Sequence, residues 1–183
     1  MTDHNQTDKM VSGALFLSAI DFLKNKKNDS VEQLEKSFGA LLFDKHKMYP
    51  LDRLIDLHQK ILSLSFGEAT DEGYYSLGQH TFNSFVHSMV GATLTNVTPT
   101  PKVLFGKIQE IWGSVVNFGT RELLEIDEKK GVAIIQIKDD PRNPAYLQGI
   151  IESGLSLLKL RDVKTKISGK KDNEYKVEIN WTP

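Results

Sequence analysis

The stretch VAIIQIKDDPRNPAYLQGIIESGL, residues 132–155, decides the fold. Its first seven residues alternate as in a β-strand and form two faces, one with Val132, Ile134 and Gln136 and the other with Ala133, Ile135 and Ile137. Asn143 suits an N-cap and Pro144 suits the first helical position. A strand is therefore predicted to lead into a helix that runs from Asn143 to about Leu160.

The flanking segments extend this strand–helix pair to a larger unit. Residues 122–127 predict a strand that forms a hairpin with 132–138 through a turn ending in Gly131. Residues 163–167 and 175–181 alternate strictly and predict a second hairpin. The C-terminal third thus reads as a β-β-α-β-β unit. Gly149 and Gly154 inside the helix predict close packing against a neighbour.

The N-terminal part is helical by its apolar spacing. Five helices are predicted, at residues 10–24, 30–42, 50–62, 74–93 and 103–118. The fold class is α+β, with about five N-terminal helices packed on a small antiparallel sheet made by the C-terminal β-β-α-β-β unit. Residues 1–8 are expected to form a disordered tail. Residues 9–183 are expected to form a single domain, because neither side of the 95–101 break has a complete core of its own.

Composition narrows the function classes. The net charge is −1, which argues against nucleic-acid binding through a basic field. There is no cysteine, which excludes disulfides, thiolate catalysis and cysteine–zinc sites. No apolar run reaches the ~20 residues of a membrane span, and the polar start of the sequence lacks the pattern of a signal peptide. A cytoplasmic location without a membrane span is expected.

Recognisable catalytic motifs are missing from the sequence. There is no G-x-S-x-G elbow, phosphate loop or dinucleotide fingerprint, so no enzyme activity is expected. Asp139 and Asp140, before Pro141, could bind a cation. The interpretation preferred here is a solvated turn with an Asx hydrogen bond.

Two histidines, His80 and His87, lie on one predicted helix, seven residues apart. Two helical turns separate such positions by roughly 10 Å, too far for one metal ion to bridge. Neither a metal nor another cofactor is therefore expected. A haem- or metal-binding sensor that uses His58, His80 or His87 remains the alternative hypothesis.

An apolar stripe accompanies these histidines and suggests a pocket wall instead. Phe82, Phe85, Val86 and Met89 follow helical spacing. The predicted helices at 74–93, 103–118 and 144–160 would frame such a pocket. Its predicted ligand-contacting residues are Phe82, Phe85, His87, Met89, Trp112 and Tyr146. Phe105 and Phe118 are further candidates beside Trp112.

Four landmarks carry a family resemblance. They are Val11-Ser12-Gly13, Tyr49-Pro50-Leu51, Leu77-Gly78, and the run from Gly149 to Leu155 that precedes a hairpin ending in Trp181. In this order they resemble a superfamily that includes 4-vinyl reductase domains, transport-protein-particle subunits and haem nitric-oxide-binding domains. The closest likeness is to a family of unknown function abundant in myxobacteria.

The resemblance implies a non-enzymatic module for ligand sensing or protein interaction, as an adaptor or scaffold. It implies a small apolar ligand and a homodimer or a partner protein. The metal-binding cysteines of 4-vinyl reductase domains are absent here. The Tyr-x-Ser-x-Arg of the haem branch has its nearest match in residues 74–78, where Gly78 replaces the arginine and the motif precedes both helix histidines. This departure argues against haem.

Overall fold

The elements follow one another in the predicted order of helices and then a mixed unit. The computed structural model describes residues 8–86, 100–156, 158 and 160–183. Its elements are β1 (Met10–Ser12), α1 (Gly13–Lys27), α2 (Val31–Phe38), β2 (Met48–Pro50), α3 (Leu51–Phe66), α4 (Asp71–Val86), α5 (Pro101–Gly106), α6 (Ile108–Gly113), β3 (Thr120–Asp127), β4 (Val132–Lys138), α7 (Pro144–Ser156), β5 (Arg161–Lys171) and β6 (Glu174–Thr182).

Four of the strands form one antiparallel sheet in the order β3-β4-β6-β5. Hairpins join β3 to β4 and β5 to β6, and α7 connects the two hairpins, so the predicted α+β class and β-β-α-β-β unit are confirmed. Gly131 ends the first turn with a φ of 68°, which a glycine adopts without strain. The alternation of β4 determines which face is buried: Ala133, Ile135 and Ile137 are at most 1% exposed.

The hydrophobic core connects this sheet to the helices. Tyr175, Val177 and Ile179 of β6 continue the buried face of β4 and belong to the same apolar cluster as α1, α3, α4 and α7. The helix α7 packs against β5, and α4 packs along α7. The sheet, α7 and α4 are thus neighbouring parts of one core.

The contact between α4 and α7 depends on glycine. A Cβ at Gly78 would overlap the carbonyl of Tyr146, and a Cβ at Gly149 would overlap the carbonyl of Tyr75. At Gly154, a Cβ would lie 3.3 Å from the ring of Phe82. The close packing that the two α7 glycines predict is therefore observed, and Gly78 supplies the matching surface on α4.

The N-terminal half departs from the sequence prediction at several boundaries. Residues 10–12 are a short strand rather than the start of a helix, because they pair with Met48–Pro50, far away in the sequence. The helix then begins at Gly13, where the Ser12 hydroxyl accepts a hydrogen bond from the Ala14 amide at 3.2 Å. The second helix ends at Phe38 instead of 42, since Gly39 has a φ of 95°.

Two further helices differ from their predicted limits. The fourth begins at Asp71 instead of 74, so the acidic turn at 71–73 is its first turn, which suits the helix dipole. The fifth helix is divided at Lys107 into α5 and α6. Within the described residues, no helix is both long and apolar enough to cross a membrane.

Candidate apolar ligand site

An apolar cavity of about 100 Å³ lies among α1, α4, α5, α6 and α7. Aliphatic and aromatic side chains make up almost all of its wall. The lining residues are Leu15, Thr81, Phe82, Leu104, Phe105, Ile108, Ile111, Trp112, Val115, Arg142, Ile150, Ile151 and Gly154. A cavity of this kind favours an apolar occupant because its wall offers few hydrogen bonds to water.

One wall comes from α5, α6 and the turn that follows them. Thr100 caps α5 by accepting a hydrogen bond from the Val103 amide at 3.4 Å, and Pro101 occupies the first helical position. Six apolar residues beyond this cap repeat at near-helical spacing and all reach the cavity: Leu104, Phe105, Ile108, Ile111, Trp112 and Val115.

A buried ion cluster borders the cavity at the segment between β4 and α7. The guanidinium of Arg142 donates to the carboxylate of Asp140 from Nε at 2.9 Å and from Nη2 at 2.6 Å. Arg121 donates to the same carboxylate from Nη2 and to the Phe118 carbonyl from Nη1 at 3.0 Å. All three ionic side chains are at most 5% exposed.

The ionic state of this cluster follows from its contacts. Burial alone would raise the pKa of Asp140, but the two guanidiniums outweigh it and hold that pKa below its ordinary value. Burial lowers the pKa of Arg121 to about 10 despite the attraction of Asp140. For Arg142 the attraction of Asp140 exceeds the effect of burial, and its pKa is raised. All three groups are therefore charged at pH 7.

Aromatic rings surround the two guanidiniums. The guanidinium carbons of Arg121 and Arg142 lie 4.7 and 4.8 Å from the Trp112 ring. Arg142 also lies 5.3 Å from the Phe118 ring and 6.0 Å from the Tyr146 ring. Cation–π contacts of this kind stabilise a desolvated guanidinium by up to about 2 kcal/mol, so the rings offset part of the cost of burial.

Tyr146 joins this cluster to the buried His58. The two rings lie 4.8 Å apart, and the Tyr146 hydroxyl donates to Thr81 at 3.4 Å. Burial, together with the positive charge of Arg142, lowers the pKa of His58 to about 3. His58 is therefore neutral at physiological pH and belongs to the core.

The other described histidines lie away from the cavity. His80 contacts Asp21 at 2.9 Å and the edge of Phe22, and His46 is exposed. His87 lies outside the described residues. Within the described part of the chain, no three His, Cys, Asp or Glu side chains are grouped so as to hold a metal.

The structure places the predicted pocket residues in three different ways. Phe82 and Trp112 lie on the cavity wall, together with Phe105. Tyr146 is fully buried behind that wall, beside His58, and Phe118 lies against Arg142. The side chain of Phe85, and His87 and Met89 entirely, lie outside the described residues.

The polar part of the site has almost no signature in the sequence. Asp140 makes the expected Asx hydrogen bond, in which its Oδ1 accepts from the Arg142 amide at 3.1 Å. The interpretation of a solvated turn was wrong for this residue, because Arg121 and Arg142 fold over the carboxylate and bury it. The only sequence signal was the Asp-x-Arg spacing of residues 140–142, which alone is too common to indicate a buried pair.

The sequence of this chain matches a known protein family. The family model described as a protein of unknown function, DUF2378, matches residues 5–182. The chain belongs to the DUF2378 family. No curated protein sequence matches the chain significantly.

Solved structures that share this fold include H-NOX domains. An Fe(II) unliganded H-NOX protein from K. algicida has a TM-score of 0.74 and 15% identity, and the match covers 94% of this chain and 97% of that one. An H-NOX protein from S. oneidensis in the Fe(II)NO state gives 0.74 and 13%, with coverage of 94% and 99%. An oxygen-binding H-NOX domain related to soluble guanylate cyclases gives 0.72 and 16%, with coverage of 94% and 95%.

This likeness confirms the predicted fold relation to the haem nitric-oxide-binding branch. The relations to 4-vinyl reductase domains, to transport-protein-particle subunits and to myxobacteria stay predictions. A further similar structure, with a TM-score of 0.73 and 16% identity, comes from work on heme distortion in the H-NOX family. In this DUF2378 chain, the described cavity-lining residues include no His, Cys, Met or Tyr to serve as an axial iron ligand, so the described site does not fit haem.

Proposed function

We propose that this DUF2378 chain is a non-enzymatic ligand-sensing module that encloses a small apolar molecule among α1, α4, α5, α6 and α7. The observation that carries this proposal is the apolar cavity of about 100 Å³, which is lined by residues of these helices. Small-molecule sites in proteins are typically concave and apolar with a few fixed polar groups, and this cavity has that composition.

The cavity sets the size and affinity of the ligand. A dry apolar cavity of about 150 Å³ accommodates benzene, so this one suits a ligand of about four to six non-hydrogen atoms. Burying four methylene-sized groups contributes about 3 kcal/mol, at roughly 0.8 kcal/mol each. Apolar contacts alone therefore give a dissociation constant in the millimolar range or weaker.

The fold supports a sensing role, since solved H-NOX domains with this architecture include one in the Fe(II)NO state and one in an oxygen complex. The alternative of a haem sensor draws on the same likeness, but the described cavity wall lacks an iron ligand. An absorbance spectrum of freshly purified protein distinguishes the two. A Soret band that is lost in His87→Ala would favour the haem alternative.

A direct test uses cyclopentane as an apolar probe and nuclear magnetic resonance shifts as the readout. We expect cyclopentane to shift methyl signals of cavity residues such as Ile111 and Ile151 in the wild-type protein. Leu104→Trp fills the cavity from α5 and should abolish the shifts. Val103→Trp adds the same ring to the same helix at a position that is 48% exposed and away from the cavity wall, and should leave the shifts intact.

Shifts that survive in Leu104→Trp, or that are absent from the wild type, would contradict the proposed site. The adaptor role, the homodimer or partner protein and the cytoplasmic location remain predictions from the sequence.

A further inference from the structure

Two buried N–H groups at the cavity have no acceptor within the described part of the chain. Trp112 and Arg142 both line the cavity, and both side chains are at most 9% exposed. Among the residues that the structure describes, neither Nε1 of Trp112 nor Nη1 of Arg142 has a hydrogen-bond partner. A buried unsatisfied donor typically costs about 1–3 kcal/mol, so a ligand that accepts from both donors removes a cost already present in the fold.

The charge around these donors is also unbalanced. Arg121 and Arg142 each contribute one positive charge, and Asp140 contributes one negative charge, so the cluster carries a net charge of +1. Among the residues that the structure describes, the other titratable groups that face it are His58, Tyr146 and Tyr175.

These three neighbours are neutral at pH 7 and cannot balance the charge. Burial lowers the pKa of His58 and raises the pKa of Tyr146 and of Tyr175. Tyr175 also has a buried hydroxyl without a partner among the described residues. A buried net charge costs several kcal/mol unless a counter-charge compensates it.

We infer that the ligand of this cavity is a short-chain carboxylate whose carboxylate group accepts hydrogen bonds from Trp112 Nε1 and Arg142 Nη1. This inference rests on the proposed function and gives the ligand a chemical class. Asp140 already occupies Nε and Nη2 of Arg142, so the ligand approaches the remaining edge of the guanidinium. The guanidinium carbon lies 4.8 Å from the centre of the Trp112 ring, so the two side chains that carry the donors are neighbours on the cavity wall.

The number of donors and the charge favour a monoanion. One excess positive charge and two unpaired donors at the cavity match one carboxylate, whereas a phosphate dianion would leave an excess negative charge buried. The rest of the wall is apolar and suits a chain of about four carbons, given the cavity of about 100 Å³.

The test is a titration of the wild-type protein with butyrate and with butyramide, its uncharged isostere. The protein has two tryptophans, Trp112 and Trp181, so the indole N–H region of a ¹⁵N-correlated spectrum holds a reporter in the cavity and an internal control. Butyrate is expected to bind at least tenfold more tightly than butyramide and to shift the Trp112 indole signal while leaving that of Trp181 in place.

The outcomes separate the inference from the proposed function. Equal affinities for butyrate and butyramide would overturn the carboxylate inference and leave the apolar site standing. If butyrate, butyramide and cyclopentane all fail to bind, both the carboxylate inference and the proposed function are wrong. Butyrate that shifts both indole signals equally would also count against the inference, because it would show binding elsewhere.

A variant isolates the role of the indole donor. Trp112→Phe keeps an aromatic ring between the guanidiniums but removes the N–H. We expect it to weaken butyrate binding by about tenfold more than it weakens cyclopentane binding, which measures the effect of the smaller ring on the apolar wall. Unchanged butyrate affinity in Trp112→Phe would contradict the assignment. If this variant does not fold, the comparison of butyrate with butyramide in the wild type still decides.

Discussion

Acidification should destabilise the protein through His58. This residue is 2% exposed, and its pKa falls from 6.5 to about 3 on folding. Because the folded pKa lies below the unfolded one, the unfolded chain binds more protons between these two values. The free energy of unfolding therefore falls as the pH falls from about 6.5 towards 3.

A change from pH 7 to pH 5 shows how large the loss in the free energy of unfolding should be. Between pH 7 and pH 5, the unfolded histidine takes up its proton and the folded one does not. At 1.36 kcal/mol per pKa unit, His58 alone lowers the free energy of unfolding by about 2 kcal/mol over this interval.

Urea unfolding at pH 7 and at pH 5 measures this loss. His58→Phe removes the titrating group and keeps a ring beside Tyr146. Between pH 7 and pH 5, the free energy of unfolding of this variant should therefore fall by about 2 kcal/mol less than that of the wild type. The exposed His46 offers a matched control, and His46→Phe should keep the wild-type loss. Equal losses in wild type and His58→Phe would refute the argument, since they would show that the buried ring is protonated in the folded state.

Two further predictions concern packing and charge. Gly149→Ala should lower the free energy of unfolding by about 3 kcal/mol, because the added Cβ would overlap the Tyr75 carbonyl. Gly106→Ala is the control: no atom lies within 4 Å of its added Cβ, so it should be neutral or stabilise slightly. Equal effects of the two substitutions would mean that α4 and α7 can separate freely. Asp140→Asn should lower the free energy of unfolding by about 3–5 kcal/mol, because it leaves two buried guanidiniums without a counter-charge. Glu32→Gln, at the exposed pair with Lys36, should lower it by less than about 1 kcal/mol. Chemical denaturation of both variants measures these losses, and a small loss in Asp140→Asn would contradict the buried cluster.

Local signals predicted the C-terminal half of the fold well. Strict alternation fixed the strand at 132–138, and Asn143 with Pro144 fixed the start of α7, where the Asn143 side chain accepts from the Ala145 amide at 2.8 Å. Gly149 indicated the close contact with α4. Each of these features depends on a few consecutive residues, which is why the sequence alone was sufficient.

Features that depend on distant residues could not be predicted in the same way. The pairing of 10–12 with 48–50 requires two three-residue segments, too short to show a period of their own. The burial of Asp140, in the segment after β4, depends on Arg121, which lies 19 positions earlier on β3. Apolar spacing placed Phe82 and Trp112 on the cavity wall, but the unpaired donors beside them emerge only from the three-dimensional arrangement.

The apolar cavity among α1, α4, α5, α6 and α7 is proposed to take a ligand. A crystal structure of the protein under xenon pressure tests it most directly, because xenon enters dry apolar cavities. We expect a xenon atom beside Phe105 and Ile151, at the cavity among α1, α4, α5, α6 and α7. Ordered water filling this space, or a cavity that collapses and excludes xenon, would contradict the account.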